Sequence, residues 1–178
     1  MTAVHGQDPA FEWDGEDATG QNFGFLRFDD IVGDGPGQIP PGATVNSARL
    51  VLDVIDGGDT GELHEILAGS DEEPTSFDET TTAMINWGDT FAPRPGVDYA
   101  EEVVGTVEGV IGIAEVDVTS SITKIVGGEE NRGWIFVPTG TNGVGVASSE
   151  SSNEPGPPKL TVIIEGDPGT GVYDFSLY

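Results

Sequence analysis

The chain has 178 residues, enough for one domain that buries roughly 70% of the surface its unfolded form exposes. Its 32 Asp and Glu against 6 Lys and Arg give a formal net charge of −26, a field that repels phosphate backbones and anionic lipid and so argues against nucleic acid and membrane partners. No cysteine is present, which removes disulfides and thiol chemistry, and no stretch approaches the ~20 apolar residues of a membrane span. Self-repulsion on this scale is tolerated where salt shortens the Debye length, from about 8 Å at physiological strength to about 3 Å at 1 M. A saline setting, or a surface bathed in divalent cations, suits such a chain.

The N-terminal residues MTAVHGQDPAFEWDG have no basic region and no apolar run, and read as lacking a secretory signal. The expected location is an extracellular surface or a virion, the latter reached through lysis. A first strand is expected at residues 10–13. Residues 14–20 (DGEDATG) then form a glycine-bounded loop carrying Asp14, Glu16 and Asp17, oxygen ligands of the kind calcium prefers, although the spacing is not that of an EF-hand.

Residues 23–29 (FGFLRFD) alternate as a strand with Leu26 and Phe28 on one face, and Arg27 reads as a structural ion-pair residue. Pro40-Pro41-Gly42 sets a turn, because proline presets φ and glycine supplies φ > 0. It launches residues 45–55 (VNSARLVLDVI), where Ala48, Leu50, Leu52 and Val54 oppose Ser47, Arg49 and Asp53, the pattern of a half-buried strand. The DGGD of residues 56–59 closes a hairpin and is a second, weaker cation candidate. Strands follow at 62–67 and 82–87. Trp87 and Phe91 flank GDT and are the preferred candidates for an exposed sugar-stacking platform, ahead of Trp13 and Tyr99.

Further strands are expected at 103–107 and 112–118. Thr119 then caps a short helix, SSITKIV, whose Ile122, Ile125 and Val126 fall at i, i+3 and i+4, with Gly127 in the left-handed cap position. Strands at 133–137, 143–148 and 159–164 complete the set, with Trp134 and Phe136 assigned to the core. Short strands punctuated by Gly, Pro, Asp and Asn, without crossover helices, predict an all-β fold: an antiparallel jelly-roll β-sandwich with one short helix, over residues 1–165. Residues 166–178 read as a hinged C-terminal strand or arm. There Tyr173, Phe175 and Leu177 point one way and Val172, Asp174, Ser176 and Tyr178 the other, and the apolar stripe is expected to dock on a sheet edge or an adjacent subunit.

Four stretches carry a family resemblance. FGFLRFDDI (23–31), IPPGATVNSARLVL (39–52), DVTSSITKIVGGEENRGWIFVP (117–138) and ASSES with PPKLTVII (147–164) occur in the order found in the DNRLRE, or disaggregatase-related, family. Residues 11–165 thus resemble the β-sandwich modules of that family, which occur in bacterial and archaeal extracellular proteins. The resemblance implies a carbohydrate-binding or adhesive module without catalytic residues. With so few cations available, an implied glycan would be neutral, since acidic polysaccharides are gripped through charge-assisted bonds from Lys and Arg.

His5 and His64 are far apart, and no HExxH, GxSxG or P-loop occurs. The chain therefore reads as non-enzymatic, with no cofactor beyond a possible calcium ion. The expected function is a structural or assembly protein on an outer surface, such as a virus capsid decoration or filament subunit, forming a homo-oligomer or larger assembly. The alternative is a stand-alone carbohydrate-binding or adhesion module for a neutral glycan or cell surface.

Overall fold

A computed structural model describes residues 8–17, 20–68, 93–152, 156–166 and 171–176. Its strands are β1 (Ala10–Asp17), β2 (Gly20–Asn22), β3 (Gly24–Leu26), β4 (Val45–Asp56), β5 (Gly61–Ile66), β6 (Tyr99–Val107), β7 (Gly112–Asp117), β8 (Trp134–Pro138), β9 (Val144–Ala147), β10 (Lys159–Ile164) and β11 (Val172–Ser176), with the helix α1 (Thr119–Val126) between β7 and β8. The described residues are all-β apart from that helix. They form two antiparallel sheets, consistent with a β-sandwich.

Strand β4 organises the larger sheet. Its alternation buries Ala48, Leu50, Leu52 and Val54 on one face, and its 12 residues are long enough to hold three neighbours. β7 pairs along one edge, from Arg49↔Asp117 to Val54↔Gly112. On the other edge β10 takes the first half and β9 the far end. The order is β11-β10-β4-β9-β1-β2, with β7 on β4. The smaller sheet runs β3-β8-β5-β6.

The interior between the sheets is apolar. Phe136 of β8 stacks on Trp13 of β1 with centroids 5.0 Å apart and planes at 7°, and Phe11 lies against the same ring at 5.4 Å. Leu63, Leu160, Val146 and Ile122 complete the same buried cluster. Trp134 and Phe136 are core residues, as expected. Pro40-Pro41-Gly42 makes the expected turn: Gly42 has φ 77° and Ala43 N–H donates to Pro40 O at 3.1 Å.

Several boundaries differ from the sequence expectations. Asp14, Glu16 and Asp17 belong to β1 rather than to a loop, and β1 pairs with β2 through Asp14↔Asn22 and Asp17↔Gly20 across an irregular register. The expected strand at 23–29 stops at Leu26, although Phe28 beyond it is still buried, and Arg27 pairs with Asp29 at 2.7 Å. The DGGD turn does not close a hairpin within one sheet: it carries the chain from β4 in the larger sheet to β5 in the smaller.

The caps of α1 also move by one residue. Thr119 is the first helical residue, and Val118 is the cap without a side-chain bond. Asp117 does the capping work instead, its Oδ1 accepting the N–H (2.9 Å) and the hydroxyl (2.6 Å) of Thr119. At the other end Gly127 is right-handed, φ −73°, because its N–H still reaches Thr123 O; the positive φ falls at Gly128.

The C-terminal strand lies on its own chain. β11 pairs with β10 from Lys159↔Ser176 to Ile163↔Val172, and Tyr173 and Phe175 pack against the main core. Leu177, like the expected strand at 82–87, lies outside the described residues.

The close fit of Gly61 beneath the Trp13 indole generates a test. A Cβ at residue 61 would come within 2.6 Å of the ring, and Trp13 is held by Phe136 behind it. Gly61→Ala should therefore destabilise the protein by about 1–3 kcal/mol, the usual range for overpacking, read as a lower midpoint in urea denaturation. Gly37→Ala is not a neutral comparison because its φ is positive; Ser47→Ala, on the outer face of β4, should leave the midpoint within about 0.5 kcal/mol.

Candidate functional site: a charged cleft, a glycine-packed rim and an aliphatic face

The first feature is a cleft where α1 closes one end of the interior. Leu63 faces the core, so Glu65, two residues on in β5, shares that side. A carboxylate there needs partners, and the helix supplies both. Ser121 Oγ donates to Glu65 Oε1 at 2.6 Å and Lys124 Nζ to Oε2 at 2.7 Å; these positions are three apart and occupy one helix face. The indole N–H of Trp134 donates in turn to Ser121 Oγ at 3.2 Å. The cleft beside this chain has a volume of about 260 Å³, with Ile66, Leu67 and Ile125 as apolar walls and Arg132 also in its lining.

Both cations of the cleft are paired. The bond to Glu65 is the main reason the Lys124 ammonium titrates above an ordinary lysine, against a smaller opposing effect of burial and with help from the charges of Glu65, Glu102 and Glu129. Arg132 pairs with Glu130. An incoming anion would have to displace a carboxylate from either one.

The second feature is the opposite rim, where turns approach one another through glycine. Gly58 N–H donates to Gly109 O at 3.0 Å, and Asp59 and Asn142 exchange bonds, N–H to O at 2.8 Å and N–H to carboxylate at 3.0 Å. A Cβ on Gly109 would sit 2.1 Å from Gly58 O, and one on Gly15 2.0 Å from Gly140 O. Side chains are impossible at such contacts, so the turns between β4 and β5, β6 and β7, and β8 and β9 lock together. Asp14 and Asp59 both reach this rim. Among the described residues, however, no group of three or more His, Cys, Asp or Glu side chains is placed to hold a metal ion. Asp14 Oδ1 instead accepts the Glu16 N–H at 2.9 Å.

The third feature is aliphatic. The register of β4 and β7 puts Ile113 beside Asp53 on the outward face of the larger sheet, with Ile55 next along β4 on that face. With Val110 and Ile111 in the preceding turn they are exposed by 39% (Ile55), 52% (Ile113), 67% (Val110) and 69% (Ile111). Single exposed aliphatics are ordinary, but a contiguous group marks an interaction surface. Among the described residues β7 pairs only with β4, so the patch also borders a sheet edge.

The remaining sequence candidates fall elsewhere. Trp13 and Tyr99 are buried and offer no stacking face to solvent; Trp87 and Phe91 lie outside the described residues. His64 is buried on β5, its Nδ1–H directed to Ala100 O (2.8 Å) and Glu102 O (3.1 Å), and its ring meets Tyr99 edge-on at 5.1 Å. Burial first, then the charges of Glu62 and Glu101, push the Tyr99 phenol up. Sequence reasoning missed the Glu65–Ser121–Lys124 cluster. The signal was present in the i, i+3 spacing of Ser121 and Lys124, but its partner is 56 residues from Ser121.

No family model matches the chain, nor does any curated protein or solved structure.

Two tests follow from these contacts. Ser121→Ala removes the hydroxyl that accepts the buried Trp134 indole N–H and donates to Glu65, so it should cost about 1–3 kcal/mol, measured by chemical denaturation. Asp117 is held below the usual carboxylate range chiefly by the Thr119 hydroxyl, then by its backbone N–H, with a smaller contribution from the Arg49 charge against slight desolvation. A carboxyl whose folded pKa is depressed adds stability above its unfolded value, about 3.9, and loses it as pH falls through the folded value. Asp117→Asn should flatten that acid limb, seen by comparing denaturation midpoints from about pH 5 down to about pH 2.

Proposed function

We propose that this chain is a non-catalytic structural subunit, a jelly-roll-type sandwich that attaches to a larger assembly on an outer surface such as a virus capsid or a filament. The observation that carries this reading is the aliphatic face of Ile55, Val110, Ile111 and Ile113. A chain of net charge −26 is kept in solution by its acids, and the same acids would discourage chance association. Apolar side chains held out on a locked turn therefore favour a specific contact. Complete burial of one such side chain is worth roughly 1.5–3 kcal/mol, so the four together supply a substantial part of what association must recover against its ordering cost. The motif resemblance to extracellular β-sandwich modules fits an outer surface, and taken alone it implies the carbohydrate-binding or adhesive alternative. Calcium enters this proposal only as a bridging ion at the acidic surface.

Density-gradient sedimentation of a lysate containing the tagged chain tests the reading. The chain should travel with large particles, and Ile111→Glu/Ile113→Glu should leave it at the top of the gradient while its circular dichroism stays that of the unaltered protein. Equal sedimentation of both chains as free protein would sink the proposal.

A second reading has its own support in the cleft under α1. Lys124 and Arg132 are engaged by carboxylates, so the cleft offers paired donors and acceptors together with apolar walls. That combination suits a neutral polyhydroxylated ring better than an anion. If a neutral glycan binds there, titration with neutral oligosaccharides should shift the Trp134 indole resonance, and uronic-acid oligosaccharides should not. No shift with any neutral sugar removes this reading and leaves the first intact.

A further inference from the structure

We infer that the aliphatic end of the larger sheet docks a segment of a different polypeptide, apolar at its centre and cationic at its rim, rather than a second copy of this chain. The inference rests on the assembly reading and adds the chemistry of the partner.

Three observations support it. First, the centre is pre-formed. Val110 and Ile111 sit in a turn whose Gly109 carbonyl accepts the Gly58 N–H at 3.0 Å, and Val110 N–H donates to Glu108 O at 2.8 Å. Gly57 lies so close that a Cβ there would be 2.9 Å from Gly109 O and 3.4 Å from Ile111 Cγ1. The apolar side chains are thus presented by backbone that is already fixed, which lowers the ordering cost of binding.

Second, the rim is acidic. Asp56 and Glu108 are exposed beside the turn and Glu115 lies one position further along the outward face of β7, whereas Asp53, which adjoins Ile113 in the register, is itself buried. Of the cations on this face, Arg49 is engaged by Glu115 at 2.6 Å, and the exposed Lys159 lies on β10 beside Val51, one step along the outward face of β4 from Asp53. At the turn the border of the patch therefore presents the carboxylates of Asp56 and Glu108, whose electrostatic complement is Lys or Arg.

Third, self-pairing opposes this pattern. A twofold contact brings a patch onto its own image, so the rim carboxylates of one copy would approach those of the other, between chains that each carry −26. An occupant with an apolar centre and basic flanks gains from both terms.

The test uses the isolated full chain and three synthetic extended peptides, which alternate Ile with Lys, with Ser, or with Glu, titrated by calorimetry. The Ile/Lys peptide should bind most tightly, the Ile/Ser peptide more weakly, and the Ile/Glu peptide not at all. Affinity for the Ile/Lys peptide should fall about tenfold or more in Ile111→Ser/Ile113→Ser and again in Asp56→Asn/Glu108→Gln, and should weaken as salt rises from about 0.05 M to about 0.5 M. Val110→Ser, whose side chain is out in solvent, provides a second apolar variant if the double substitution alters folding. Equal binding of Ile/Lys to the serine variants would mean diffuse charge attraction and would overturn the inference. So would equal binding of the Ile/Ser or Ile/Glu peptides, or no binding of any peptide. A concentration-dependent dimer in sedimentation equilibrium, lost in Ile111→Ser/Ile113→Ser, would make the occupant a second copy. In that last case, or if the peptides fail while the chain still sediments with particles, the assembly reading stands and only the chemistry assigned to the partner falls.

Discussion

The constraint on which everything else depends is the one-sided burial of β4. Charge works against compaction in a chain this acidic, so cohesion has to come from apolar contact between the two layers. Ala48, Leu50, Leu52 and Val54 supply the larger sheet's central share of it. Because side chains alternate strictly along a strand, a slip of one residue would turn this whole set to solvent. The length of β4 then determines the rest: it reaches past β10 to meet β9, and through β9 it brings β1, with Trp13, over Phe136 of the facing sheet.

Polar groups are arranged around that core with two different purposes. At one end Glu65 ties the helix to the smaller sheet through Ser121 and Lys124, so charge is used in pairs and the helix is held without an apolar face as wide as a longer helix would need. At the other end no side-chain pair is required, because backbone meets backbone at Gly58 and Gly109. That difference explains why the rigid end can carry exposed aliphatics: its order is independent of the side chains it displays.

Much of the fold was legible in the sequence because alternation of period two is a local signal. The strands at 45–55 and 159–164 and the helix segment were readable for that reason. What was not legible depends on distant partners. The crossing at residues 56–59 reads as a hairpin, since a Gly-Gly turn between strands gives the same local signature whether or not the strands share a sheet. The cap assigned to Thr119 belongs to Asp117 because the Thr119 hydroxyl is also the acceptor for Ala48 N–H at 2.9 Å, a contact spanning 71 residues. Likewise the candidate sites drawn from sequence favoured aromatic and acidic residue types. Trp13 is claimed by the core, and the aliphatic face appears only once β4 and β7 are set in register.

Trp13 has one more consequence. Its ring is almost completely enclosed and its Nε1–H has no hydrogen-bond partner among the described residues, whereas the indole of Trp134 is bonded to Ser121. These two of the chain's three tryptophans therefore inhabit different dielectric surroundings, one dry and stacked, the other polarised by a hydroxyl. Separation of the layers would wet the first, so the contribution of Trp13 to the blue edge of the emission spectrum is a built-in optical gauge of whether the sandwich is closed.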